Sequence, residues 1–355
     1  MNLKDFLAPG EAAAATLAGW GEPAFRLKQL KEWAYGRFAA SYDEMSNLPK
    51  GLRRRLEDAG IAPFALEVVE RLQDPDDGTV KWLSRLEDGN TVETVLMRVP
   101  ERTTVCLSTQ VGCPVRCVFC ASGRNGLVRN LTSGEIVDQV MLACRELGGR
   151  VDNIVVMGMG EPLLNLEALA PALERTAFGA RHVTISTSGI VPGILRLAQL
   201  AEEAPQGAAS RNWNLALSLH GVDDESRARI IPLHHRYPLE EIFQACRVHR
   251  EKTGRMLTLE YALVRGQNDS LEAQRRLAEI AHDLRAKVNL IPCNPNASAL
   301  AAPERRRCRQ WLDGLCARGV QATLRHSRGQ AILAACGQLR QQWQREGRPL
   351  SSPTP

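Results

Sequence analysis

Cys113-Pro-Val-Arg-Cys117-Val-Phe-Cys120 is the run on which the rest of the chain depends. Three cysteines stand in eight residues, spaced C-x₃-C-x₂-C, and no fourth follows nearby. A structural zinc site closes with four ligands, commonly as two separated pairs. A [4Fe–4S] cluster takes one ligand per iron. Three thiolates on one loop therefore fit a cluster with one iron left for a group that is not protein, with zinc or a redox pair as competing uses. Burial as small hydrophobes explains the run poorly, because a loop bearing Pro114 and Arg116 follows no core periodicity.

Around this run the pattern is one of alternating strands and helices. Candidate strands are 103–108, 153–157, 182–186, 214–219, 256–263 and 287–291, with helical stretches at 132–148, 165–176, 191–204, 239–252, 270–284 and 303–318. Thr132-x-x-Glu135 is a capping box opening the first helix, and Gly148-Gly149 closes it. Strand–helix alternation implies a parallel sheet with right-handed crossovers. Six units suit a partial (β/α)6 barrel better than a closed eightfold one, in an α/β chain. Chemistry in such folds sits at the C-terminal ends of the strands, and the cysteine run directly follows the first.

Upstream, residues 1–60 read as a small helical domain, and 61–102 as a β extension. Lys28, Lys31, Arg37, Lys50 and Arg53 to Arg55 form either a phosphate-contacting face or a solvated helix surface. Val80–Leu86 and Thr91–Val99 are joined through Asp88-Gly89, a hairpin signal. Glu93 shares a face with Val95, Met97 and Val99. On residue pattern alone an exposed Glu on an edge strand is the simpler account. The core is expected over 103–340, with 341–355 as a C-terminal tail that is disordered at its end.

Composition sets outer bounds. The chain has 355 residues, 44% hydrophobic, with ten cysteines and a net charge of +5. That length suits a barrel of about 250 residues with an added module. No run approaches about 18 apolar residues, so no membrane span is expected. The start Met1-Asn-Leu-Lys-Asp lacks the order of a signal peptide, and the cysteines point to a reducing, cytoplasmic setting. The charge permits a polyanionic partner without demanding one.

Polar groups gather at the strand ends. Gly158-Met-Gly160-Glu161-Pro162 closes the second strand, Ser186-Thr-Ser-Gly189 the third and Ser218-Leu219-His220 the fourth, and Asn294 follows the sixth. Each alone is an ordinary turn; at successive strand ends they read as a binding ring. Cys144, Cys246, Cys308 and Cys316 fall on apolar helix faces and are expected in the core. Cys293 adjoins the ring and takes no assigned role. Cys106 and Cys336 fit no helix face, and either is a candidate reactive thiol.

The cysteine run, with Phe119 before its last member, resembles the signature of the radical S-adenosylmethionine (SAM) enzymes. Cys106-Leu-Ser-Thr-Gln-Val-Gly-Cys113, Arg129-Asn-Leu-Thr132, Met157-Gly-Met-Gly-Glu-Pro-Leu163, Asn289-Leu-Ile-Pro292 and Ala334-Ala-Cys-Gly-Gln-Leu339 further resemble the RlmN/Cfr adenosine methyltransferases, over about residues 22 to 340. The resemblance implies methylation of adenosine carbon 2 in 23S rRNA, at the peptidyl transferase centre, and in tRNA 3′ of the anticodon. The alternatives are carbon 8 methylation as in the Cfr branch, or another radical SAM enzyme such as an activase. It implies one [4Fe–4S] cluster on Cys113, Cys117 and Cys120, and SAM, two per turnover, held by Gly160, Glu161, Ser186, Ser218, Leu219, His220 and Asn294. Cys336 becomes S-methylcysteine, its methyl group loses hydrogen to a SAM-derived radical, and the resulting carbon radical adds to the base. Glu93 accepts the ring proton, which displaces the edge-strand account. Cys106 resolves the adduct, forming a disulfide with Cys336. The implied partners are 23S rRNA, tRNA and an electron donor such as flavodoxin, with the protein a monomer. Arg325 and Arg328, near Cys336, are expected to meet RNA phosphate. The chain departs from the family at Gln330, Ala331 and Leu333, where acidic residues are usual, and at Cys293, where an aromatic is usual.

Overall fold

The structure, a computed structural model, describes residues 1–204, 211–232, 236–295 and 300–339. The expected disordered tail at 341–355 lies outside the described residues. Among the described residues there are twelve strands: β1 (Glu67–Gln73), β2 (Val80–Arg85), β3 (Thr91–Val99), β4 (Arg102–Cys106), β5 (Gln110–Gly112), β6 (Leu127–Asn130), β7 (Asn153–Val156), β8 (Val183–Thr187), β9 (Asn214–Ser218), β10 (Thr258–Leu263), β11 (Lys287–Pro292) and β12 (Ala322–Leu324).

Ten of them form one sheet in the order β1-β2-β3-β4-β7-β8-β9-β10-β11-β12. The pairs from β1 to β4 are antiparallel, and every pair from β4 onward is parallel. Antiparallel neighbours need only a tight turn, and Asp88-Gly89 provides one: Gly89 has φ +79° and Asp88 Oδ1 accepts from Asn90 N at 3.0 Å. Parallel neighbours need a crossover, supplied by the helices Ser133–Leu147, Leu166–Arg175, Val191–Glu203, Leu239–Thr253, Leu271–Asp283 and Arg305–Cys316. The Thr132–Glu135 capping box and a left-handed Gly148 bound the first of these. β1 and β12 are the two edges and do not pair, so the barrel stays open, as the α/β partial-barrel reading expected.

The gap between the edges is bridged by the chain after β12. Arg325 N donates to Leu290 O at 2.8 Å, leaving the sheet on the β11 side. Gly329 N then donates to Asp77 Oδ2 at 2.9 Å and Ala331 N to Asp74 Oδ2 at 3.2 Å, in the turn between β1 and β2. Lys81 of β2 holds Leu333 O at 3.3 Å. This strap carries Cys336.

Residues at the N-terminus build their own core, with Leu3, Leu17, Leu30, Met45, Leu52 and Leu56 buried together. It is fastened to the barrel through the fully buried pair Lys4 Nζ–Asp138 Oδ1 at 2.8 Å. Three features differ from the sequence expectation. β12 is too short for periodicity to register, and β5 and β6 pair as a small second sheet around the cysteine run. Cys316, expected in the core, is exposed: on its helix Cys308, Trp311 and Leu315 hold the buried stripe, and the last residue turns past it.

Candidate active site

Two adjoining cavities occupy the concave side of the sheet. The first, about 150 Å³, lies at the C-terminal ends of the parallel strands and is lined by Cys113, Cys117, Cys120, Gly160, Glu161, Ser186, Ser218, His220 and Asn294, among others. All three cluster candidates and six of the seven binding-ring candidates thus meet in one place. The seventh, Leu219, is a core residue that turns away from the cavity.

The local fold explains the convergence. Gly158 and Gly160 end β7 against the loop after β4. A Cβ at Gly160 would lie 2.7 Å from Thr109 Oγ1, and its φ is +109°. A Cβ at Gly158 would lie 2.6 Å from Leu107 O. Glu161 is buried and already engaged, Oε2 accepting from Ser188 N and Ser188 Oγ, both at 2.7 Å. Burial pushes its carboxyl up, and the Ser188 bonds oppose that. Ser186 and Ser218 hydroxyls lie 3.3 Å apart. His220 Nδ1 accepts from Ala262 N at 3.0 Å, which fixes its tautomer, and its ring meets Phe119 edge to face at 5.0 Å. Burial holds His220 neutral, lowering its pKa to about 3.

The donor set fits an iron–sulfur cluster. Burial, then the neighbouring thiols, pushes Cys117 well up, and burial pushes Cys113 up to about 12. Such thiols ionise only against a strong local cation, which bound iron supplies. They ring a cavity: among the described residues no three His, Cys, Asp or Glu side chains close on a single ion.

The second cavity, about 410 Å³, runs along the sheet toward the N-terminal ends of β4, β7 and β8, from Cys106 and Met157 to Arg102, Asn153 and His182. Met157, Ile291, Asn294, Arg325 and Cys336 line both cavities. Cys336 therefore stands at the seam, with Cys106 facing the larger space. Asn294 Nδ2 donates to Cys336 O at 3.0 Å, and Gln330 Nε2 reaches Asn294 Oδ1 at 3.3 Å. Gln338 braces the same turn, accepting from Ala335 N at 3.2 Å and donating to Pro295 O at 2.6 Å. All ten cysteines are free, so the disulfide implied between Cys106 and Cys336 is not formed here.

Glu93 lies inside the sheet, between β2 and β4, and is buried, which rules out the exposed edge. It sits one step along the same face of β3 from Val95, which is opposite Cys106. It does not itself line either cavity. Its carboxylate is paired with Lys81 at 3.1 Å. Arg325, expected at RNA phosphate, instead turns inward: its charge faces Cys336, Glu260 and Cys106, and Nη1 lies 4.0 Å from Met157 Sδ. Arg328 does reach the larger cavity.

Sequence reasoning missed Lys81, Glu260 and Arg227. Arg227 is fully buried, donates to Ser218 O at 2.9 Å and Leu219 O at 2.5 Å, and also reaches Ser188 O. It braces two ring-bearing turns from below, those after β8 and β9, yet in Asp-Glu-Ser-Arg it reads as a surface charge. Lys81 was detectable, since alternation along β2 places it on the lumen face.

Fold and site together define a radical SAM enzyme. Residues 107–277 match the Radical SAM superfamily, and 1–61 match the Ribosomal RNA large subunit methyltransferase N-terminal domain. A "Probable dual-specificity RNA methyltransferase RlmN 3" of Opitutus terrae is 45% identical, over 96% of this chain and 95% of that one. The RlmN of Symbiobacterium thermophilum is 45% identical over 95% and 91%. A crystal structure of a radical SAM methyltransferase from Sphaerobacter thermophilus superposes with a TM-score of 0.85 at 44% identity, covering 95% of this chain and 97% of that one. The chain belongs to the RlmN family.

Proposed function

We propose that this RlmN-family enzyme methylates carbon 2 of a specific adenosine in 23S rRNA, and of the adenosine 3′ of the anticodon in tRNA, through a methylated Cys336. The relatives are named dual-specificity RNA methyltransferases, and a SAM-dependent RNA methyltransferase is the activity that their similarity supports. The observation that carries the route is the place of Cys336, shared by the cysteine-ringed cavity and the larger one.

Cys113, Cys117 and Cys120 hold the [4Fe–4S] cluster, and Gly160, Glu161, Ser186, Ser218, His220 and Asn294, with the backbone at Leu219, surround SAM. Bound together, they supply a transferable methyl group and, after one-electron reduction, a hydrogen-abstracting carbon radical, so that one turnover uses two SAM. Carbon 2 of adenine is electron-poor and does not displace methyl from a sulfonium, so a thiol must carry the carbon. Cys336 accepts it as a thiolate, the nucleophilic form. Its methyl carbon, once it has lost a hydrogen atom, adds to the base from the seam. Glu93 takes the ring proton, from the face of β3 that also carries Val95. Once the adduct's unpaired electron has passed to an acceptor, a role the cluster would supply, Cys106 attacks the Cys336 sulfur, a disulfide forms as the sulfur–carbon bond breaks, and the released carbon takes up a proton to leave as the methyl group of the base. The base itself has to leave its stack to enter the larger cavity.

The test is anaerobic incubation with SAM, reductant and RNA, followed by mass spectrometry of peptides and nucleosides. Wild type should show a methyl group on Cys336 and 2-methyladenosine. Cys336→Ala should yield neither while still cleaving SAM, and Cys106→Ala should accumulate a protein–RNA adduct. 8-Methyladenosine, or an unmodified Cys336, would overturn the reading.

A further inference from the structure

Radical chemistry at the smaller cavity would consume one electron per cleavage, and the cysteine loop has an exposed side on which a donor could dock. Arg116 stands between Cys113 and Cys117, and Val118 directly follows Cys117, so each Cα is about 3.8 Å from that of a cluster ligand. Both side chains face solvent, Val118 being 40% exposed. Arg116 adopts φ +58°, the left-handed region disfavoured for a residue with a Cβ. Its backbone packs on Gly123, where a Cβ would lie 2.7 Å from Arg116 Cα. Its guanidinium lies along Gly126, whose carbonyl accepts from Cys113 N at 3.0 Å. Next to Gly126 come Leu127 and Val128, 43% and 54% exposed, and Arg124 lies in the same turn, also exposed. Among the described residues neither Arg116 nor Arg124 forms an ion pair.

This is an apolar patch with two uncompensated positive charges, set on the backbone that holds the thiolates. Of the four arginines that line the larger cavity, Arg102 and Arg181 lie at the opposite, N-terminal ends of β4 and β8, and Arg325 and Arg328 stand on the strap after β12. RNA reaching the second cavity is thus served by a separate basic face. Among Arg116, Val118, Arg124, Leu127 and Val128 there is no aromatic ring for a base to stack on.

We propose that Arg116, Val118, Arg124 and Leu127 form the docking surface for an acidic protein that carries a low-potential single-electron group. Complementary charge steers such a partner, and the apolar residues at the centre exclude water at the contact. The partner loses one electron, the cluster site gains it, and no bond or proton needs to move between the proteins. The proposal rests on the radical SAM reading of the site.

The probe is flavodoxin, a small acidic flavin protein, with the cluster-loaded enzyme. Affinity is read by fluorescence anisotropy against salt, and cluster reduction by stopped-flow absorbance. R116E/R124E should weaken flavodoxin binding and slow its electron transfer by roughly tenfold or more at low salt. Reduction by dithionite, and methylation driven by it, should be unchanged. R124E/L127E lies outside the cysteine run and should act in the same direction if R116E impairs cluster loading. Unchanged flavodoxin affinity in both variants overturns the docking surface, even where dithionite still supports methylation. Weaker RNA binding with normal flavodoxin transfer also overturns it, and assigns the patch to RNA. Failure of methylation in wild type with dithionite would count against the proposed activity and leave the binding measurement standing.

Discussion

Cys106 and Cys336 are both thiols, but the protein treats them differently. Cys106 is buried on β4, and burial, with Cys336 next to it, pushes its pKa up to about 12 from an ordinary 9.0, against the pull of Arg325. A thiol so held stays protonated at neutral pH, which suits the late, resolving step proposed for it. In the folded protein Cys106 should therefore resist iodoacetamide at pH 9 and react only as pH approaches 12, whereas the denatured chain should label near 9. Rapid native labelling of Cys106 at pH 9 would refute this. The same shift has a stability consequence: the folded state retains a proton that the unfolded state releases, so stability is full below pH 9 and is lost as pH rises toward 12. Lys81 offers a second test at this scale. Both it and Glu93 are nearly inaccessible, and Lys81 also holds the Leu333 carbonyl of the strap. Lys81→Met removes a buried partner and should cost about 3–5 kcal/mol, measured by urea unfolding, with a more mobile strap shown by faster hydrogen exchange near Leu333. A loss below about 1 kcal/mol would mean the pair is solvated like a surface bridge.

At the scale of the element, legibility followed the length of the periodic signal. The six long crossover helices and the strands from β7 to β11 were readable because each repeats a face several times. β12 and the β5–β6 hairpin span too few residues to do so, and they exist because neighbouring backbone needs partners. The ring at the strand ends was legible as a set, since Gly160, Ser186, Ser218 and Asn294 recur at equivalent places. Arg227 was not, because a buried cation under two turns looks, in sequence, like any charge on a short helix. Gly160 shows how tightly one element is bound: Gly160→Ala places a Cβ among Thr109 and Gln110 with the wrong φ. Both β7's exit and the loop before Cys113 would have to shift, and SAM affinity should fall by roughly tenfold or more, read by equilibrium dialysis. Helix Leu239–Thr253 gives a pH test. Burial lowers His249 to about 4 from 6.5. The unfolded chain takes up this proton below 6.5 and the folded one only below 4, so stability present above pH 6.5 is lost as pH falls through 4. His249→Phe should flatten the acid limb of a stability–pH curve in that window; an unchanged limb would exclude the imidazole as its source.

The whole molecule has two cores but one frame, and the joint between them fixes how the N-terminal module sits on the barrel. Lys4 and Asp138 are both fully buried and 2.8 Å apart. Around them Asp5 Oδ1 accepts from Gly134 N at 2.6 Å, Asp5 Oδ2 from Thr132 Oγ1 at 2.8 Å, and Asp138 Oδ2 from Ala65 N at 2.7 Å. The first residues of the chain thus seat on the N-terminal end of helix Ser133–Leu147, where partial positive charge favours Asp5. Burial raises the Asp138 pKa and Lys4 opposes it, so loss of the cation would push the carboxyl further up. On this module Lys28, Lys31 and Arg54 are exposed, whereas Arg53 and the also exposed Arg55 donate to Tyr42 O and Trp20 O. Charge reversal at Lys28, Lys31 and Arg54 should therefore weaken RNA binding and flatten its salt dependence, by about one unit of log–log slope for each phosphate no longer neutralised. Lys4→Met differs from that triple variant in a way that separates docking from charge. It leaves every exposed cation in place, strands Asp138, and should destabilise the joint by about 3–5 kcal/mol. Its expected signature is proteolysis between residues 58 and 66, with an intact cluster spectrum and normal SAM cleavage. Methylation of tRNA should fall, because RNA gripped by a loosened module no longer presents its base at Cys336. If Lys4→Met methylates tRNA as wild type does while proteolysis shows the joint open, the module contributes affinity alone, and the orientation of the substrate is set entirely by the barrel.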